Sequence, residues 1–104
     1  MKIQLFNRYL PNINWKHKQI LKVILKRSPY IWFVYGSRAR GDNDEYSDLD
    51  LCVYPKFKTL SEKQQIQQKL ANSNLPFSVG IIEWDLISKD FQREIEADLI
   101  PLFL

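Results

Sequence analysis

The chain has 104 residues, 45% hydrophobic and 26% charged, with 3 glycines and 5 prolines, which excludes disordered, collagen-like and low-complexity classes. A chain this short supports one hydrophobic core, so residues 1–104 are expected to form a single domain. Its formal net charge of +3 is compatible with nucleotide phosphates, nucleic acid or an acidic partner and selects none of them. Cys52 is the only cysteine, so no internal disulfide can form. The Met-Lys-Ile-Gln start lacks the apolar stretch of a signal peptide. The uncharged run Ser28 to Ser37 is about half of what a membrane span needs. These features together predict a cytoplasmic protein.

Asn14 is a suitable N-cap for a helix reaching about Arg27, in which His17, Ile20, Leu21, Ile24 and Leu25 share one face. Lys18, Lys22 and Lys26 line another face, the usual pattern of a solvated helix side. Ser28-Pro29 stops this helix. Tyr30 to Tyr35 is a continuous β-branched and aromatic run, expected to be a strand buried on both faces. Gly36-Ser37 then opens a short helical turn that Gly41 closes, and a polar loop follows. Asp48 to Tyr54 reads as a second strand, stopped by Pro55. Ser61 and Gln64 fit a capping box for a helix to about Asn72. Phe77 to Trp84 is a third strand, and Ser88 caps a last helix, near 89–99, carrying Phe91, Ile95 and Leu99. The expected fold class is α/β, a small mixed sheet with flanking helices.

Two features carry chemistry. Side chains alternate along a strand, so Asp48 and Asp50 are expected to face one side, roughly 6–7 Å apart, while Leu49, Leu51 and Val53 enter the core. Paired carboxylates suit a hard divalent cation such as Mg²⁺. Gly36-Ser37 at the end of a buried strand offers free amides, close backbone approach and a hydroxyl to a phosphate, with Arg38 and Arg40 adding positive charge. No Gly-Lys-Ser/Thr follows, so this is not a P-loop, and Asp42-Asn43-Asp44 does not continue into an EF-hand.

Gly36-Ser37, ten residues, then Asp48-x-Asp50 resembles the signature of the DNA polymerase β-like nucleotidyltransferase superfamily. Gly36-Ser37-Arg38-Ala39-Arg40-Gly41 followed by Ser47-Asp48-Leu49-Asp50-Leu51 is similar to its minimal nucleotidyltransferase (MNT) family. The resemblance implies the polymerase β-like fold and transfer of AMP from ATP with Mg²⁺. Gly36, Ser37, Arg38 and Arg40 would hold the nucleotide, and Asp48 and Asp50 would serve as catalytic and metal-binding residues. It further implies a HEPN-domain toxin as partner in a hetero-oligomer, with this chain as antitoxin, and no direct nucleic-acid binding.

One departure bears on activity. The family's third carboxylate, on the third strand, would fall in Val79-Gly80-Ile81-Ile82-Glu83-Trp84, where Gly80 takes its place. Strand parity puts Glu83 on the face opposite Gly80 unless a bulge shifts the register. Two functions follow from this sequence: an adenylyltransferase acting on its toxin, and an antitoxin of the same fold that neutralises by contact alone. A modifier of small molecules is a third, disfavoured because such enzymes usually add a helical domain for their acceptor.

Overall fold

The structure, a computed structural model, describes residues 13–26, 28–102 and 104; the expectations resting on the N-terminal residues 1–12 and on Arg27 lie outside them. Asn14 caps α1 (Trp15–Leu25) by accepting from the His17 amide at 2.9 Å. β1 (Ile31–Tyr35), the short α2 (Ser37–Arg40) and β2 (Leu49–Tyr54) follow, then α3 (Leu60–Ala71) and β3 (Val79–Glu83). A 3₁₀ turn (Trp84–Leu86) leads to α4 (Lys89–Glu96) and a two-residue β4 (Ile100–Pro101). No helix among the described residues is long and apolar enough to cross a membrane.

The strands form one mixed sheet in the order β3-β2-β1-β4. β1 runs antiparallel to β2 and β4, whereas β2 and β3 are parallel and therefore need the α3 crossover between them. Alternation on the central strands divides the core in two. Leu49, Leu51 and Val53, each 0% exposed, pack with Trp32, Val34 and Ile81 beneath Leu21 and Leu25 of α1 and Ile66 and Leu70 of α3. Burying each of these side chains contributes about 1.5–3 kcal/mol, so this face anchors the sheet. Phe33 and Cys52 point the other way, against Ile95, Leu99 and Phe91.

The expected mixed sheet with flanking helices is the one found, with corrections in detail. Only Trp32 to Val34 are fully buried in β1; Ile31, at the strand's start, is 55% exposed. The last helix ends at Glu96 rather than Leu99, and the chain then turns so that Leu99 closes the second core. Ile100 and Pro101 pair with Val34 and Phe33 as an edge strand, where a proline without an N–H is tolerated. α3 is capped by Thr59, which accepts from the Glu62 amide at 3.1 Å, not by Ser61. Glu62 does not close the box, because its carboxylate takes the Tyr30 hydroxyl at 2.8 Å.

Candidate active site

β1 delivers the chain to Gly36, whose φ of 77° and ψ of −153° lie in a region that side chains rarely adopt. From there α2 starts: the Gly36 carbonyl accepts the amides of Ala39 and Arg40, both at 3.1 Å. Gly41 (φ 85°) ends the turn, its amide donating to Ser37 O at 2.9 Å. The backbone around Gly36 and Ser37 is therefore held by short-range bonds, and Ser37 itself remains half-buried.

Antiparallel pairing sets Tyr35 opposite Asp50, which brings the Asp50 carboxylate against the Gly36 turn. A Cβ at residue 36 would stand 2.5 Å from Asp50 Oδ2. Parallel pairing on the other side sets Asp50 opposite Gly80, where a Cβ would stand 3.7 Å from Asp50 Oδ1. The carboxylate thus sits between two glycines, one in contact and one leaving a gap. Asp48 lies one residue before β2 rather than within it, exposed at the end of the 42–48 loop. It is close enough to act on Asp50. Burial first, and then the Asp48 charge, push the Asp50 pKa up, while Arg40 pulls it down. A cation held by the two carboxylates would relieve that repulsion, and the glycine gap leaves room beside Asp50. The donors are hard oxygens, as Mg²⁺ requires, and the pair can hold one such ion if substrate oxygens and water complete its shell. Among the described residues no cluster of three or more His, Cys, Asp or Glu could hold a metal.

The two arginines part company. Positions 38 and 40 are about 200° apart around a helical turn, so their side chains leave in opposite directions. Arg40 is bound to Asp42 at 2.9 Å and Asp98 at 3.0 Å, and its charge reaches Asp50. Arg38 is only 3% exposed. Its guanidinium donates to the carbonyls of Ser47 at 3.0 Å and Glu45 at 3.1 Å, and lies 4.2 Å from the Phe77 ring centre. Arg38 was expected to bind nucleotide, but the structure places it inside the fold with its Nε and Nη2 donors on those two carbonyls. His17 sets its ring edge on the same Phe77, centroids 5.5 Å apart, so it packs rather than ligates.

Among the described residues, none of Glu83, Glu62 and Glu45 is placed to replace the acid that Gly80 lacks. β3 pairs with β2 without interruption from Val79 to Glu83, so no bulge shifts its register. Glu83 is buried on the α3 side, bound to Lys63 Nζ at 2.9 Å and to the Phe57 amide at 3.1 Å. Glu62 is taken by Tyr30, and Glu45 is exposed in the loop. Tyr35, for which the sequence suggested no catalytic partner, has its pKa pushed up to about 12 by burial and then by the Asp50 charge.

Over residues 18–103 the chain matches the family described as polymerase beta, nucleotidyltransferase, and it belongs to that family. It is 33% identical over 79 residues to "Probable protein adenylyltransferase MntA" of Haemophilus influenzae, covering 73% of this chain and 68% of the relative. A protein of Methanocaldococcus jannaschii, whose name provisionally gives the same activity, is 35% identical over 83 residues, 76% of this chain and 84% of that one. The coarse function is accordingly nucleotidyl transfer, with the relatives' names pointing to adenylyl transfer.

Proposed function

We propose that this chain, acting as a single domain, is an Mg²⁺-dependent adenylyltransferase that transfers AMP from ATP to a HEPN-domain toxin and serves as its antitoxin. The observation that carries the reading is the Asp50 carboxylate packed against the Gly36-Ser37 turn, with Asp48 beside it. In the reaction an acceptor hydroxyl oxygen bonds to the α-phosphorus, the bond from that phosphorus to the bridging oxygen breaks, and pyrophosphate leaves with the electron pair. Gly36 and Ser37 would hold the triphosphate, Arg40 would add positive charge, and Asp48 and Asp50 would hold Mg²⁺. When bound, the ion supplies charge neutralisation on the phosphate oxygens. The hydroxyl proton is lost to solvent, since Gly80 offers no carboxylate to accept it. General-base catalysis is typically worth about 10²–10⁴-fold, so the missing acid is expected to add about 3–5 kcal/mol to the barrier.

A second reading, favoured by Gly80 alone, is an antitoxin that binds its toxin without modifying it. The deciding experiment incubates the protein with labelled ATP, Mg²⁺ and a HEPN-domain protein encoded beside it. Slow labelling of that partner, lost in the Asp48→Ala/Asp50→Ala variant, is expected. Labelling that survives in that variant would contradict the proposed site.

A further inference from the structure

We infer that Arg38 is a positioning residue, one that sets where the 42–48 loop delivers Asp48 and makes no contact with nucleotide. The inference rests on the reading of Asp48 and Asp50 as the metal-binding pair. Asp48 is outside β2: the sheet holds only the peptide that follows it, where the Leu49 amide donates to the Ser78 carbonyl at 2.9 Å, and the side towards Ser47 belongs to the loop. That side must be held by something else. The loop is short of regular structure: Asp44 caps a turn by accepting the Tyr46 amide at 2.8 Å, and Ser47 Oγ accepts the Asp44 amide at 2.9 Å.

On the loop side, Asp48 is tied to the body of the protein through the Arg38 side chain. Arg38 Nε holds the carbonyl of Ser47, the residue immediately before Asp48, and Nη2 holds that of Glu45. The guanidinium plane is fixed in turn by Phe77, and Phe77 by His17 of α1. A planar fork that spans two carbonyls and stacks on a ring cannot be replaced by an ammonium, which is a point charge. Because α2 starts at the Gly36 turn, Arg38 ties the phosphate-facing turn and the metal-facing loop into one rigid unit.

The test measures Mn²⁺ binding by electron paramagnetic resonance, ATP binding in excess EDTA, and hydrogen exchange of the metal-free loop amides. Variants are Arg38→Met, Arg38→Lys, Asp48→Asn, Asp50→Asn and Arg38→Lys combined with Asp48→Asn. Losing a residue that orients a metal ligand typically weakens metal binding about 10–100-fold, and that loss is expected for both Arg38 variants. Arg38→Lys decides the matter if Arg38→Met fails to fold. ATP binding in EDTA should stay unchanged, the Asp44 amide should exchange faster, and Arg38→Lys should add little once Asp48→Asn is present. Additive losses in the combined variant would overturn the inference. So would weaker ATP binding in Arg38→Met that a lysine restores, since that marks a phosphate ligand. If Asp48→Asn and Asp50→Asn both leave Mn²⁺ binding intact, the metal site itself falls, and this inference with it. If they abolish it while the Arg38 variants bind normally, the positioning role alone falls.

Discussion

Two glycines flank Asp50, and they should respond to substitution with opposite sign. Gly36 occupies a conformation that costs a side-chain-bearing residue about 1–3 kcal/mol, and its new methyl would collide with the Asp50 carboxylate. Gly36→Ala should lower stability by about that amount in urea unfolding and displace Asp50. Gly80 has a strand backbone open to any residue, and a Cβ there would meet Asp50 Oδ1 at an ordinary contact distance of 3.7 Å. Gly80→Ala should therefore raise stability by about 0.5–1 kcal/mol, as alanine usually does over glycine in a strand. A loss at Gly80 equal to that at Gly36 would contradict the geometry. Cys52 supplies a second check at this scale. It is 0% exposed, and burial pushes its thiol up to about 12. Native protein should resist alkylation at pH 8 and react once unfolded; rapid native labelling would mean that the second core is open. The Asp pair and the glycine turn were legible in the sequence because their chemistry is local. The fate of Arg38 was not, since it depends on Phe77, 39 positions away, arriving beneath it.

At the scale of elements, strand alternation foretold which face each β2 and β3 residue takes, and uninterrupted pairing from Val79 to Glu83 leaves Glu83 on the α3 side. Removing the charge of a buried acid that holds Lys63 and a backbone amide is destabilising. Glu83→Gln should cost about 1–3 kcal/mol while leaving nucleotidyl transfer per folded molecule unchanged. Loss of transfer in folded Glu83→Gln protein would instead make it the missing third acid. Capping gives a sharper comparison: Thr59→Ala should cost α3 about 1 kcal/mol by thermal unfolding, and Ser61→Ala almost nothing. The capping box expected from the sequence, Ser61-x-x-Gln64, lies two residues too far along; Thr59 takes the Glu62 amide, and Tyr30 takes the Glu62 carboxylate. β4 escaped notice because two residues show no periodicity; it exists only through pairing with β1.

For the whole molecule, α1 and α3 cover one face of the sheet and α4 part of the other. The Asp50 end of β2 stays between the Gly36 turn and the edge strand β3. If the proposed toxin is the acceptor, a domain of this size should form a stable complex with it, eluting as one peak in size exclusion after co-expression; two independent peaks would count against the partner. The most direct test of the account compares AMP transfer by the wild type, Gly80→Asp and Asp48→Ala/Asp50→Ala. The parallel register places an aspartate at residue 80 beside Asp50, so it should restore an acid where one is missing. The predicted result is slow transfer by the wild type, a gain with Gly80→Asp and none in the double variant. Robust wild-type transfer, unchanged by Gly80→Asp yet abolished by the double variant, would contradict the placement of the missing acid.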